Sequence, residues 1–209
     1  MVNGIRNRWL PLLGIAFTFS LFHLGTWSDA GQSYPVKKGA LLVAQPKISA
    51  SIFKESVVLI THHSKKNGTQ GLIINKPSGH SPDDILPPDS GAEKLYEKLF
   101  IGGPVILAAP TLLIDTEIPP EGAIKIFSHV YLSMSLHKVL NEENSKRHSE
   151  LRIYAGMSSW APGQLEREIA RGDWLLLRPD SKMVFSENPE VIWEKLIKRY
   201  EEGGRGILI

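Results

Sequence analysis

The sequence predicts an α+β fold, and three observations carry that reading. Eight short runs rich in Val, Ile and Leu are spread along the chain, often with Gly, Pro, Asn or Asp at their ends. Several of these runs are continuously apolar, as strands covered on both faces are. Helical periodicity occurs in only three places, irregularly placed among the strands, which argues against a regular βαβ array.

Taken in order, the expected strands are Ala40–Ala44, Val57–His62, Gly71–Asn75, Leu112–Asp115, Ile124–Phe127, Leu151–Ala155, Trp174–Leu177 and Met183–Phe185. Between the third and fourth, Ser78 to Glu93 is rich in Pro, Ser, Asp and Gly and reads as a surface excursion. A first helix is expected from about Ser133 to Glu143. A second, Pro162–Arg171, places Leu165 and Ile169 on one face and stops at Gly172. The third, Pro189–Glu201, has the clearest signals: Asn188 as cap, Pro189 in the first turn, Glu190 at the positive end. Its Ile192, Leu196, Ile197 and Tyr200 share a face, and Gly203-Gly204 follow as terminator.

The first thirty residues form a separate object. Arg6 and Arg8 precede Trp9–Ser28, twenty positions without a formal charge, and Ser28 and Ala30 supply the small residues of a cleavage site. This order reads as an export signal cut after Ala30, or as a retained anchor through residues 9–28, since about 20 apolar residues span a bilayer. An alternative is a false start, with translation beginning near Val36. Either export form places the domain in the periplasm or on the inner membrane; the false start leaves it in the cytoplasm. The expected organisation is residues 1–30 as leader, 31–38 as linker, 39–201 as the domain and 202–209 as a flexible tail.

Composition narrows the chemistry. Of 209 residues 42% are hydrophobic, and a chain of this length buries enough surface to fold without metal or disulfide staples. The absence of Cys excludes thiol catalysis, Fe–S clusters and Cys-type zinc sites. A net charge of +2, with basic doublets scattered among acids, offers no basic face, so nucleic acid is not an expected partner. Neither a dinucleotide fingerprint nor a P-loop is present, and no cofactor is implied. His62 and His63 adjoin at a strand end, where side chains point to opposite faces, so one half-buried and one solvated histidine is expected, not a metal site. No G-x-S-x-G elbow occurs. Gly102-Gly103-Pro104 reads as a tight turn between strands, with an anion cradle as the alternative. Asp83-Asp84 reads as a helix start and Glu142-Glu143 as a solvated helix face.

The most distinctive stretch runs from Tyr154 to Trp174: a strand ends at Gly156, and a Trp-containing turn feeds a helix with Gln164, Glu166 and Glu168 in its first two turns. The macrodipole suffices to place acids there. Trp160 is either a packed core aromatic or the wall of a groove.

Four motifs in order resemble the YqgE/AlgH family of bacterial proteins. They are Gly39-Ala40-Leu41-Leu42-Val43-Ala44-Gln45-Pro46; Phe53-x-x-Ser56-Val57-Val58 leading to His62; Gly71-Leu72-Ile73-Ile74-Asn75-Lys76-Pro77; and the pair Gly102-Gly103-Pro104 with Gly156-x-x-x-Trp160-x-x-Gly163-Gln164-Leu165-Glu166-x-Glu168. Together they span residues 37 to 200. The resemblance implies a single compact α+β domain with a bent, barrel-like, mainly antiparallel sheet flanked by helices, and no settled activity. One branch is called a transcriptional regulator of alginate synthesis, although this chain shows no helix-turn-helix signal. Two features depart from the family: the hydrophobic leader, and Met157 where an aromatic residue commonly stands.

Three functions follow as expectations. The first is a non-catalytic binding or regulatory domain for a protein or small molecule, with a surface of Asn75, Gly103, Pro104, Trp160, Gln164 and Glu168, because polar turn residues are hard to explain by packing alone. The second is an enzyme using Glu168 as general base beside Asn75 or a backbone anion site. The third is a regulator that binds nucleic acid, which requires the false start.

Overall fold

The apolar runs pair into two five-stranded sheets that share one core. The computed structural model describes residues 35–49, 51–84, 86, 98–105, 110–140 and 148–202. The expected leader (1–30), the Glu142-Glu143 face, half of the 78–93 excursion and, apart from Glu202, the expected tail with its Gly203-Gly204 terminator lie outside the described residues. Among the described residues there are ten strands: β1 (Leu41–Ala44), β2 (Val57–Ser64), β3 (Gly68–Ile73), β4 (Leu99–Ile101), β5 (Thr111–Thr116), β6 (Ile124–Phe127), β7 (Val130–Ser133), β8 (His148–Ala155), β9 (Ser158–Trp160) and β10 (Trp174–Leu177). The helices are α1 (Leu136–Leu140), α2 (Gln164–Ala170), α3 (Ser181–Val184) and α4 (Ile192–Glu202), the last entered through a 3₁₀ turn at Pro189–Val191.

The first sheet runs β10-β1-β2-β3-β9 and the second β4-β8-β5-β7-β6. Neighbours are antiparallel except β4 and β8, which run parallel from Leu99↔Ile153 to Ile101↔Ala155. The bent, barrel-like sheet expected from the resemblance thus takes the form of two antiparallel-rich sheets.

Period-two alternation sorts the side chains. Leu41 and Val43 of β1 face the second sheet, in a core with Leu59, Leu72, Leu113, Val130 and Tyr154, closed at one end by Ile192, Leu196 and Ile197 of α4. Ala40, Leu42 and Ala44 face the other way, with Val58, Ile60 and Ile73, under Leu165 of α2 and the rings of Trp160 and Trp174. On the outer side of the second sheet, Leu112, Ile114 and Ile153 pack under Val139 of α1. Both faces of the central strands are therefore covered, which is why they read as continuous apolar runs. Burying each such Leu or Ile is worth about 1.5–3 kcal/mol.

Several expectations need correction. Met183–Phe185 is not a strand: Met183 and Val184 end α3, whose start is capped by the Asp180 carboxylate accepting from the Lys182 N–H at 2.9 Å. Ser133 belongs to β7, and the helix expected from it begins only at Leu136. Asn188 makes no side-chain cap bond; Pro189 opens the turn as expected. Asp83-Asp84 begin no α-helix, only the 3₁₀ turn Pro82–Asp84. No helix among the described residues is long and apolar enough to cross a membrane.

Candidate functional site

The six expected surface residues fall into three places. Trp160, Gln164 and Glu168 form one hydrogen-bonded group. Gly163 holds the start of α2 in a left-handed conformation (φ 73°), which lets the Gln164 carboxamide reach back and accept from the Ala161 N–H at 3.0 Å. One turn on, the Glu168 carboxylate accepts from Gln164 Nε2 at 3.0 Å through one oxygen. Its other oxygen accepts two indole N–H groups, Trp160 Nε1 and Trp174 Nε1, each at 2.9 Å.

The two indoles lie edge to face at 6.0 Å, and Phe53 closes the box, stacked on Trp160 at 5.7 Å and edge-on to Trp174 at 5.5 Å. Trp160 is 3% exposed. It is a packed aromatic, and the groove-wall alternative is set aside. With three N–H donors on its two oxygens, Glu168 is committed to holding aromatic side chains together. That use counts against a free general base, which must reach a substrate proton.

Asn75 lies just past β3 and has a different task. Its Oδ1 accepts from the Val57 N–H at 2.8 Å, and its Nδ2 donates to the Glu55 carbonyl at 2.9 Å. Glu55 is a non-glycine residue at φ 54°, a conformation that the surrounding bonds must hold in place. Next to Asn75, the Lys76 ammonium donates to the carbonyls of Ile52 (2.6 Å) and Lys54 (2.8 Å). Together the two side chains fold the turn at residues 51–56, and that turn presents Phe53 to the tryptophans. Asn75 and Glu168 are thus joined through a shared loop and make no hydrogen bond to each other.

Gly103 and Pro104 occupy the third place. Gly102-Gly103 is a crossing between the two sheets, not the expected tight turn between strands. The Gly102 N–H donates to Ala155 at the end of β8, while its carbonyl accepts from Ile73 of β3 and from the Ser158 hydroxyl. A Cβ on Gly103 would lie 2.3 Å from the backbone of Met157 and Ser158, so only glycine permits this approach. Pro104 beyond it is exposed.

The histidines follow expectation: His62 is exposed, and half-buried His63 pairs through Nδ1 with the Thr69 hydroxyl at 2.8 Å. Among the described residues no cluster of His, Asp and Glu is placed to hold a metal ion.

Sequence reasoning missed several participants. Phe53 and Trp174 complete the aromatic box. Arg152 is buried between the sheets, donating to the carbonyls of Ile74 (3.1 Å) and Ser186, with its guanidinium 4.4 Å from the centre of the Phe100 ring. Beside it, burial pushes the Tyr154 hydroxyl up to about 12, with the Arg152 charge pulling the other way. An Arg inside the otherwise apolar run Leu151–Ala155 was the available signal for this pin.

The open feature next to these residues is a cleft of about 560 Å³ between the turn at 51–56 and the start of α4. Ser51, Lys54, Glu55, Asn75 and Lys76 line one side, and Glu190, Trp193 and Glu194 the other. Trp193 is anchored by donating its indole N–H to the Ala44 carbonyl at 2.7 Å. Asn75 is the one expected site residue that reaches this cleft.

Fold and site together define an α+β domain of two stitched sheets whose most distinctive polar residues organise internal structure, with a small polar cleft beside the turn that Asn75 and Lys76 hold. An AlgH-like family model matches residues 41–203, and the chain belongs to this family. A UPF0301 protein of Methylococcus capsulatus is 34% identical over 163 residues, covering 77% of this chain and 89% of the relative. A UPF0301 protein of Chlamydia abortus is also 34% identical, covering 78% and 86%. Among solved structures, the AlgH protein of Pseudomonas aeruginosa is similar at 26% identity and a TM-score of 0.61, covering 83% of this chain and 93% of that one. A Corynebacterium diphtheriae protein, DIP2367, shares the fold with a TM-score of 0.68 at 23% identity, covering 83% and 94%.

Proposed function

We propose that this protein is a non-catalytic binding or regulatory domain, and that the cleft between the 51–56 turn and α4 is where its ligand, or a side chain of a protein partner, is received. The observation that carries this reading is the commitment of Glu168: the carboxylate best placed by sequence for acid–base work is occupied by two indoles and an amide. Asn75 and the Gly102 backbone are likewise spent on internal bonds. In contrast, Lys54, Glu55, Glu190 and Glu194 stand exposed around a cleft already shaped by a clamped turn and an anchored Trp193. The lining of the cleft is almost wholly polar and charged, with Trp193 the one apolar wall, which suits a polar ligand or a polar side chain of a partner.

The test follows the tryptophan indole N–H resonances of ¹⁵N-labelled protein against a panel of small amines, acids, carbonyl compounds and polyols. The reading expects saturable shifts at Trp193, with Trp160 and Trp174 unmoved. Shifts confined to Trp160 and Trp174 would place binding at the aromatic box and overturn the cleft. Turnover of any panel member that Glu168→Gln abolishes would overturn the non-catalytic reading.

A further inference from the structure

Lys76 is the one group in the cleft whose chemistry exceeds what binding requires. Of the four tetrahedral positions at its Nζ, Cε takes one, and the bonds to the Ile52 and Lys54 carbonyls take two. The fourth carries a proton in the ammonium and the lone pair in the free amine. A neutral amine has two N–H bonds, and both already have acceptors, so deprotonation leaves no donor or acceptor stranded. Burial holds this amine below the ordinary lysine range; Glu55 opposes that effect and Lys54 adds to it. The side chain is half-buried yet lines the cleft, so it is desolvated and still reachable.

We propose that Lys76 is a nucleophilic amine that captures a small hydroxylated aldehyde or ketone in this cleft as a reversible imine. The ligand class follows from the other lining groups. Glu55, Glu190 and Glu194 outnumber Lys54 and Lys76, which disfavours an anionic oxo acid and favours hydroxyl groups that donate to carboxylates. The flat Trp193 side chain offers apolar surface to a carbon skeleton. In the reaction the Nζ lone pair forms a bond to the carbonyl carbon, and the C=O π pair moves to oxygen, which takes up the proton that nitrogen releases. Loss of that hydroxyl with the remaining amine proton as water leaves the C=N bond. Both N–H bonds are then spent, so the Ile52 and Lys54 carbonyls lose their donor and the clamp on the 51–56 turn is released as the imine forms. Glu55, in the same cleft, is the carboxylate able to carry these protons, and no oxidant or reductant is needed. This proposal rests on the cleft being the binding surface.

The test incubates the full-length protein at neutral pH with glycolaldehyde and cyanoborohydride, which reduces an imine to a stable secondary amine, and maps adducts by peptide mass spectrometry. Lys76 is expected to be labelled several-fold faster than the exposed Lys65 and Lys66, because burial enlarges its free-amine fraction and the cleft holds the aldehyde beside it. Anionic glyoxylate is expected to show no such preference. In Lys76→Arg that adduct disappears while those on Lys65 and Lys66 persist. Labelling of Lys76 no faster than Lys65 and Lys66 overturns imine capture. The Trp193 indole resonance, followed in Lys76→Arg under the same titration without reductant, separates the two claims. A shift there with no preferential Lys76 labelling in the wild type overturns the imine and keeps the cleft; neither shift nor labelling overturns both.

Discussion

Glu168→Ala removes the acceptor shared by two buried indoles. Trp160 and Trp174 are 3% and 4% exposed, so water does not readily replace the lost carboxylate at either N–H. Each buried donor left unpaired costs about 1–3 kcal/mol, so the pair sets an expected loss of about 2–6 kcal/mol. That is a large share of the roughly 5–15 kcal/mol that holds a typical domain together. Glu168→Gln keeps one oxygen where the indoles converge and should lose less than half as much. The assay is urea unfolding of the wild type and both variants, followed by far-UV circular dichroism and by tryptophan emission. A double-mutant cycle with Trp174→Phe, which removes one donor while keeping a ring in the box, should show coupling of about 1 kcal/mol or more. Glu168→Ala within about 1 kcal/mol of wild type, or additivity with Trp174→Phe, would refute the idea that the carboxylate organises the box.

Other variants probe the remaining places. Asn75→Ala strands the Val57 N–H and the Glu55 carbonyl and should cost about 2–3 kcal/mol in urea unfolding; Asn75→Asp, which keeps the acceptor and loses the donor to Glu55, should fall between. Gly103→Ala drives a Cβ into backbone at 2.3 Å and should cost more than about 3 kcal/mol or prevent folding, whereas Gly122→Ala, with nothing within 4 Å and only an unfavourable φ of 80°, should cost about 1 kcal/mol. At Asp173 burial pushes the carboxyl up, but hydrogen bonds from Lys47 and Arg171 outweigh it and hold it below the ordinary 3.8. A depressed folded-state value stabilises above the unfolded one and is lost as pH falls through the folded one, so Asp173→Asn should flatten the decline in stability below about pH 4.

Seven of the eight expected strands were legible because their apolar runs are long enough to show. The three missed strands are three or four residues each, and β9, Ser158–Trp160, has two serines where an apolar pattern would be sought. Met183–Phe185 misled because its apolar triplet looks like a buried strand, while the deciding signal, the Asp180 cap, lies outside it. Within the candidate site, Trp160, Gln164 and Glu168 were legible as members of one surface from their motif, although not as a hydrogen-bonded group. Trp174 and Phe53 were not, because their partnership with Trp160 arises from sheet order and from the turn that Asn75 and Lys76 fold. Gly102-Gly103 was read as local turn chemistry, although its glycines are demanded by a backbone approaching from Gly156–Ser158. In each case the missing information was a contact between segments remote in sequence.

The register of β1 has a consequence for how the chain acquires its shape. Leu41 pairs with Leu59 on one side and with Leu177 on the other, so one flank of the same short strand is completed early and the other only much later in synthesis. Until β10 leaves the ribosome, β1 presents an unpaired edge and an uncovered apolar face. Such non-local closure is slow, and the interval leaves a sticky, half-built sheet for a chaperone to guard. Truncations that stop before Trp174 should therefore be held by chaperones or aggregate, even though nine of the ten strands found among the described residues have already been made and can pair.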